Sequence, residues 1–254
     1  MATTPLVRAR RLVIVGLAGL LVGIGLYALV TTITTPRRTT PFYEPPVLAG
    51  QPIPGYCSGG VYARLGDVIV LTSSGHCGGE GTVVAGQGVT GPIAQDATCP
   101  YAGHTCHSSD MNYLVVADDR VPWGHLDQID MGIGGYRTIA AGSSALRCDE
   151  IAVGDPVELN GRNGYRTGTV TEKGENRQDP AQDGSYFPCM VKTSAAVGSL
   201  DSGGVVLVRG VPAGVASRTF GGYLGFTPLA EGLTDLGLEL CTDPDCGLVR
   251  PAGG

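Results

Sequence analysis

The chain has 254 residues, of which 41 are glycine and 17 are proline, and only 16% are charged. This composition favours many short strands and tight turns over long helices, and its apolar content excludes a disordered polypeptide. Residues 1–38 carry five arginines and no acid, so the remaining chain, with 12 basic and 23 acidic residues, has a net charge of −11. This acidic part of the chain lacks the basic stripe of a nucleic-acid-binding protein, and we expect no nucleic-acid partner.

An apolar segment, 12–33, follows the first eleven residues. It is long enough to span a bilayer as a helix, which needs about 20 residues. Arg8, Arg10 and Arg11 precede it, so the positive-inside tendency predicts a cytoplasmic tail at 1–11 and the rest of the chain outside the membrane. A cleaved signal peptide usually has a shorter apolar core and a small-x-small cleavage site. We predict an uncleaved signal anchor, with secretion after cleavage as the alternative.

Residues 34–54 are rich in proline, which favours an extended, semi-rigid spacer. We therefore predict a linker at 34–54, a folded domain at 55–240 and a C-terminal tail at 241–254.

Short apolar runs separated by Gly, Asn and Asp dominate the predicted domain, and this spacing is typical of an all-β sandwich or barrel. One helix is predicted at Ala230–Leu240, where Leu233, Leu236 and Leu240 share a face. The strand candidates are Asp67–Thr72, Gly81–Ala85, Asn112–Ala117, Pro156–Asn160, Thr167–Glu172, Tyr186–Thr193, Gly204–Arg209, Val211–Ser217 and Tyr223–Thr227.

Three motifs carry residues suited to nucleophilic catalysis. His76 stands in a Ser-Gly-His-Cys setting after a β-branched strand, Asp110 directly precedes an alternating strand, and Ser202 lies within Leu200–Gly204, Leu-Asp-Ser-Gly-Gly. A serine hydroxyl becomes a good nucleophile when an imidazole takes its proton, and that imidazole needs a carboxylate to orient it. We therefore predict Ser202 as nucleophile, His76 as general base and Asp110 as the orienting carboxylate.

Each motif also has a non-catalytic interpretation: His76 as a loop histidine, Asp110 as a surface aspartate and Ser202 as part of an ordinary Ser-Gly-Gly turn. Asp96, Asp118 and Asp119 are rivals for the carboxylate. Asp110 is favoured because the orienting carboxylate must be buried against the imidazole rather than solvated in a cluster of charges.

The order and flanks of these residues resemble the chymotrypsin-like serine peptidases, in particular the bacterial branch of the streptogrisins and α-lytic protease. The resemblance covers roughly residues 57–240 and implies two six-stranded antiparallel β-barrels with a C-terminal helix and a cleft between the barrels. Its further motifs are Cys57-Ser58-Gly59-Gly60, Gly154–Gly161, Gly168-Thr169-Val170 and Gly225–Leu229.

By the same resemblance, the amides of Leu200 and Ser202 form an oxyanion hole, and Asp201 forms an internal ion pair that shapes this loop. The family has glycine where this chain has Leu200. Leucine keeps the N–H donor, but its Cβ restricts the backbone conformations that glycine would allow. The predicted hole therefore depends on how this loop folds.

The resemblance also implies a primary substrate pocket with Ala196 at its base. No carboxylate is placed there to receive Lys or Arg, which predicts a small or modestly apolar substrate side chain and excludes trypsin-like specificity. Arg218, in the strand implied to bind substrate backbone, favours an acidic residue further along the peptide or is a solvated edge charge. The other predicted pocket residues are Val197, Gly198 and Ser217.

Eight cysteines, all after the apolar segment, agree with export to an oxidising compartment. The resemblance implies the disulfide Cys57–Cys77, and spacing suggests the short local loops Cys99–Cys106 and Cys241–Cys246, which leaves Cys148 and Cys189 for each other. Eight cysteines allow 105 pairings, so the sequence leaves these three open. A zinc site from Cys99, His104, Cys106 and His107 is the alternative, although structural zinc sites usually show two clean ligand pairs.

Together these features predict a membrane-anchored, extracytoplasmic serine endopeptidase that cleaves polypeptides through an acyl-enzyme, with no metal and no organic cofactor. The alternative from another class is a catalytically silent protease-fold module that binds a peptide or cell-envelope partner.

Overall fold

The computed structural model describes most of the predicted domain and its flanks. All of these residues belong to one compact unit, Pro45–Gly254. None of the helices among them is long and apolar enough to cross a membrane, and the predicted anchor at 12–33 lies outside the described residues. The described residues are 46–84, 86–95, 101, 104–177 and 184–249.

Most of the regular secondary structure in the described chain is β-strand, as the composition predicts. Four 3-10 turns also occur, at Gly75–Cys77, Asp118–Arg120, Gly132–Gly134 and Cys148–Glu150. The strands and the α-helix are β1 (Tyr62–Leu65), β2 (Val68–Ser74), β3 (Val83–Val84), β4 (Gly88–Thr90), β5 (Thr105–Cys106), β6 (Met111–Val116), β7 (Gln128–Asp130), β8 (Tyr136–Thr138), β9 (Pro156–Leu159), β10 (Arg166–Arg177), β11 (Ser185–Ala196), β12 (Val205–Val208), β13 (Val211–Phe220), β14 (Tyr223–Pro228), α1 (Leu229–Asp235) and β15 (Glu239–Leu240).

Two large sheets organise these strands. The first has six strands in the order β15-β1-β2-β6-β4-β3, and the second has the order β10-β9-β12-β13-β14-β11-β5. An additional β10–β11 pairing closes six strands of the second sheet into a barrel. The edge strands of the first sheet, β15 and β3, do not pair with each other in the described part of the chain, so closure of the predicted first barrel is not found there.

Strand β12 lies between the two hydrophobic cores, which explains why its sequence is an unbroken apolar run. Successive side chains of a strand point to opposite faces. Val206 and Val208 belong to the core inside the closed barrel. Val205 and Leu207 belong to the core shared with the first sheet. The loop that carries Ser202 directly precedes this strand, so the loop is fixed at the seam between the two cores.

The predicted helix at Ala230–Leu240 is wrong at its C-terminal end. Helix α1 ends at Asp235, and Gly237 takes a φ of +65° soon afterwards. A glycine in this conformation commonly ends a helix. The next residues form β15, which pairs antiparallel with β1 at the edge of the first sheet. Tertiary pairing has therefore overridden the helical spacing of the leucines.

Two predicted boundaries also need correction. The last part of the predicted linker packs into the domain, because Val47, Ala49 and Ile53 are buried in the core of the first sheet. The first part of the predicted tail is likewise buried at Cys241 and Cys246. The compact domain therefore begins before residue 55 and extends beyond residue 240.

Candidate active site

His76 lies at the end of β2, in the 3-10 turn Gly75–Cys77. The residue that follows it forms the disulfide Cys57–Cys77. A strand end on one side and a disulfide on the other leave the imidazole little backbone freedom. The sequence pattern of a β-branched run followed by Ser-Gly-His-Cys therefore folds into a fixed support for the ring.

Asp110 directly precedes β6, which pairs antiparallel with β2. The pair Ser74↔Met111 is the last of this ladder, so the end of β2 and the start of β6 meet at the same edge. The Asp110 amide donates to Thr227 Oγ1 at 3.0 Å, and the Asp110 carbonyl accepts from the Gly75 amide at 3.2 Å. These contacts place the carboxylate beneath the imidazole of His76.

The carboxylate of Asp110 is 4% exposed and accepts several hydrogen bonds. Its Oδ2 lies 2.6 Å from His76 Nδ1 and accepts from Ser74 Oγ at 2.9 Å and from Ser217 Oγ at 2.5 Å. Its Oδ1 accepts from the His76 amide at 3.1 Å. Because the carboxylate accepts from Nδ1–H, the other ring nitrogen of His76 is the one available to take a proton.

Two opposing effects act on the pKa of Asp110. Burial favours the neutral acid and raises the pKa, whereas hydrogen bonds and charge from His76, with hydrogen bonds from Ser217 and Ser74, favour the carboxylate. The hydrogen bonds and the charge prevail, so the pKa of Asp110 lies below its usual value. The group is therefore an anion wherever the imidazole becomes charged.

Ser202 lies in the loop between β11 and β12, with its Oγ 2.9 Å from His76 Nε2. Its carbonyl accepts from the Ser58 amide at 2.8 Å. The following residue, Gly203, has a φ of +85°, and a Cβ there would lie 2.2 Å from the Ser58 carbonyl oxygen. Glycine after Ser202 is therefore required for the backbone to approach this closely.

Asp201 holds the loop that carries Ser202 through buried hydrogen bonds. Its carboxylate is 0% exposed and accepts from the Asn163 amide at 2.7 Å and from the Gly198 amide at 2.8 Å. Arg166 Nη1 lies 3.5 Å from Oδ2 and supplies the opposite charge. The internal ion pair expected for Asp201 thus has a partner, Arg166 on β10, that the sequence did not point to.

Leu200 occupies the left-handed region, with a φ of +66°. Its carbonyl accepts from Ser58 Oγ at 2.9 Å, and the preceding Ser199 carbonyl accepts from Asn163 Nδ2 at 2.8 Å. The loop therefore takes the backbone conformation that glycine would favour, despite the Cβ of leucine. Within the described part of the chain, the amides of Leu200 and Ser202 make no hydrogen bond to another protein group, and their role as oxyanion donors stays a prediction.

A cavity of about 400 Å³ opens beside Ser202. Three further pocket residues predicted from the sequence, Val197, Gly198 and Ser217, line it, but Ala196 does not. Ala196 ends β11, where it pairs with Tyr223, and its assignment to the base of the pocket stays a prediction. Sequence reasoning missed four other lining residues, Ser199, Leu200, Ala216 and Thr219.

Arg218 also lines this cavity. Its guanidinium carbon lies 5.2 Å from the centre of the Phe187 ring, and its side chain is only partly exposed. Arg218 is therefore part of the wall of the cleft and not an isolated charge on a solvated edge.

The structure contains three of the expected disulfides, Cys57–Cys77, Cys148–Cys189 and Cys241–Cys246. Cys106 is also disulfide-bonded, whereas Cys99 lies outside the described residues. A disulfide sulfur is not a thiolate ligand, so Cys106 cannot be a ligand of the alternative zinc site. His104 Nδ1 instead donates to the Gly184 carbonyl and His107 Nδ1 to the Ala94 carbonyl, each at 3.0 Å.

Several contacts around the site had no local signal in the sequence. Arg166 is 35 residues from Asp201, and Ser217 is 107 residues from Asp110. Ser217 was predicted only as a pocket residue, yet its hydroxyl holds the carboxylate of Asp110. Hydrogen-bond partners this far apart become neighbours only through the sheet.

The chain was compared with known proteins. No family model and no curated protein matches it, but solved structures do. Thermobifida fusca protease A is 26% identical, with a TM-score of 0.59 over 76% of this chain and 97% of that one. Nocardiopsis protease is 21% identical (TM-score 0.56, covering 76% and 98%), and α-lytic protease homolog N4 is 20% identical (0.53, 76% and 98%). These neighbours are chymotrypsin-like serine proteases of the streptogrisin and α-lytic type. The chain has their fold, and the likeness supports a serine protease.

Proposed function

We propose that the protein is a membrane-anchored, extracytoplasmic serine endopeptidase. The observation that carries the proposal is the continuous chain of contacts from Asp110 through His76 to Ser202, with heavy-atom separations of 2.6 Å and 2.9 Å. These are the distances at which a base can take the proton of a nucleophile while a carboxylate orients that base.

In the proposed reaction, Ser202 Oγ attacks the scissile carbonyl carbon while His76 Nε2 takes the hydroxyl proton. The carbonyl oxygen becomes an anion that the amides of Leu200 and Ser202 stabilise, and each such donor typically contributes a factor of about 10²–10³ in rate. His76 then gives its proton to the leaving amine, which leaves an acyl-enzyme on Ser202. A water molecule hydrolyses this ester by the same steps, with His76 as base, and regenerates the serine.

Asp110 keeps the imidazole in the tautomer that this sequence requires and stabilises the imidazolium when it forms. Asp201 supports the proposed oxyanion hole. It bonds Gly198 within the loop that carries both donors, and it ties this loop to Asn163 in the connection between β9 and β10. Arg166 provides the positive charge for this buried carboxylate. Contacts within this chain therefore hold the loop in place.

The cavity beside Ser202 supports a specificity that is not trypsin-like. Its described lining is made of small, apolar and hydroxyl side chains, with Arg218 as the only charged one. No carboxylate in that lining could pair with a substrate Lys or Arg. The side chain before the scissile bond is therefore small or modestly apolar.

Three disulfides among the described residues support an extracytoplasmic location, because disulfides persist in oxidising compartments. The apolar segment 12–33 supports the anchor, since its length suits a bilayer span. Membrane fractionation of the expressed protein tests this part, and release of the intact domain by a carbonate wash would contradict it.

A fluorophosphonate probe tests the proposed activity, because it labels only an activated serine. The full-length protein is treated alongside Ser202→Ala, His76→Ala and, as a matched control, Ser143→Ala, whose hydroxyl bonds the Ala140 carbonyl on an exposed loop. We expect labelling of the wild type and of the control, and none of the two site variants. A well-folded wild type without labelling would instead favour the silent peptide- or envelope-binding module.

A further inference from the structure

One edge of β13 is open where it passes the candidate site. Up to Ala216, the strand is bonded on both sides, by β12 and the Gly203–Gly204 backbone on one and by β14 on the other. Ser217 lies at a register shift, and from Arg218 to Phe220, in the described part of the chain, the strand pairs only with β14. An exposed edge of this kind can accept an extended peptide as an additional strand. Ala216–Thr219 also line the cavity that contains Ser202.

A cationic and aromatic cluster lies beside this open edge. It consists of Arg218, Phe187 and His107. The guanidinium of Arg218 lies 5.2 Å from the centre of the Phe187 ring, and the imidazole of His107 stacks on the same residue at 5.5 Å and 27°. Strand β5 holds His107 here, because it adds in parallel to the start of β11.

The cluster is well suited to a carboxylate. Phe187 is buried, so its ring fixes the orientation of the guanidinium instead of leaving the arginine free to rotate in solvent. Arginine has five N–H donors in a rigid fork, so it can bind a carboxylate in a bidentate manner while it keeps another interaction. Arg218 is the only charged side chain of the described cavity lining, so it is the group there that would attract a carboxylate.

We propose that Arg218, supported by Phe187 and His107, is a specificity-determining residue that selects peptides with aspartate or glutamate on the N-terminal side of the scissile bond. This inference rests on the proposed peptidase function. It concerns a second determinant of specificity, separate from the small or apolar residue that enters the cavity.

The substrate positions follow from placing the residue before the scissile bond opposite Ser217, which lines the cavity beside Ser202. Side chains directly opposite each other in an antiparallel pair lie on the same face, and alternate residues share that face. If the residue before the scissile bond is opposite Ser217, the second residue is opposite Arg218, and the fourth lies on the same face. The acidic preference therefore applies to the second and fourth residues before the scissile bond.

Pairs of internally quenched peptides test the proposal with the full-length protein. The two peptides of a pair share an alanine before the scissile bond and differ only in Glu or Gln at the second and fourth positions. We expect the wild type to cleave the Glu peptide with about tenfold higher kcat/KM, the effect of one charge-assisted hydrogen-bonded pair. Arg218→Gln should bring this ratio close to one, and Arg218→Lys should leave part of it.

Arg209→Gln is the matched control, because it also removes one arginine but lies after β12, where Arg209 bonds Asp155 and the Glu150 carbonyl. It should keep the wild-type ratio. A ratio measured within one protein is independent of how much of that protein is folded. Equal cleavage of the two peptides by the wild type, or a ratio unchanged in Arg218→Gln, would overturn the inference.

Binding to the Ser202→Ala variant separates this inference from the proposed function. Fluorescence anisotropy with the same peptides should show about tenfold tighter binding of the Glu peptide, lost when Arg218→Gln is added. If the probe does not label the wild type but this preference is present, the peptidase function fails and the acidic subsite stands. Equal binding of both peptides by this variant would refute the subsite even in an active enzyme.

Discussion

Replacing Leu200 by glycine tests whether the candidate oxyanion loop is strained. A residue with a Cβ in the left-handed region costs about 1–2 kcal/mol, and Leu200 has a φ of +66°. Glycine removes this cost but gives the unfolded chain more freedom, which opposes folding by about 0.4–1 kcal/mol. Leu200 is 45% exposed, so removing its side chain loses little buried apolar surface. We expect Leu200→Gly to raise the free energy of unfolding by about 0.5–1 kcal/mol.

Thermal unfolding measures this gain, which corresponds to a rise in Tm of about 1–4 °C for a domain of this size. Leu200→Ala is the matched control, because it shortens the side chain but keeps the Cβ and hence the strain. Its Tm should not rise. If both variants have the same Tm, or if the glycine variant is less stable, strain at this backbone position is not the cause.

The same variants test whether leucine misdirects the loop. Ser58, Asn163 and Asp201 already hold it in place, so we expect kcat of Leu200→Gly to stay within about threefold of the wild type. An increase of more than about tenfold would mean that the leucine displaces one of the two oxyanion donors, since one such donor is worth about 10²–10³ in rate.

Three further outcomes follow from the contacts of the site. Asp110→Asn should lower kcat by about 10⁴, because the imidazole loses its preferred tautomer. Folding lowers the pKa of Asp110, so its ionised form should stabilise the fold fully above the usual aspartate pKa, and this stability should be lost as the pH falls through the lowered pKa. Acid titration of the free energy of unfolding measures this loss. Arg166→Gln should cost about 2 kcal/mol in urea denaturation and reduce probe labelling, because buried Asp201 keeps two amide donors but loses its counter-charge; unchanged stability and labelling would contradict this role. Replacing Cys57 and Cys77 together by serine should cost about 3 kcal/mol for a loop of 20 residues, and a Tm equal to that of the wild type would argue against it.

The sequence was most informative where a feature depends on neighbouring residues. The β-rich composition, the turn-separated apolar runs and the three motifs around His76, Asp110 and Ser202 are all local patterns, and the structure brings these three side chains within hydrogen-bonding distance. It was least informative at element ends. The leucines of the predicted C-terminal helix have helical spacing, yet the segment leaves the helix because Gly237 turns the chain and β1 offers an open edge.

Ser199, Leu200 and Arg218 illustrate the limits of assigning a pocket by counting from a motif. A count along the chain ignores how the loop between β11 and β12 folds, and it did not identify Ser199 or Leu200 as residues that line the cavity. Arg218 could not be classified from sequence, because Phe187 lies on β11 and His107 follows β5, and these segments meet Arg218 only in the folded sheet.

The sequence by itself therefore determined which groups the chain can offer: candidates for a nucleophile, a base and an orienting carboxylate, each in a motif that favours its local backbone. Tertiary structure alone decided which groups support them. Arg166 beneath Asp201, Ser217 against Asp110 and the position of Leu200 in a braced loop all result from strand pairings between residues far apart in the chain. Such pairings depend on the register of whole sheets, and no short stretch of sequence contains that information.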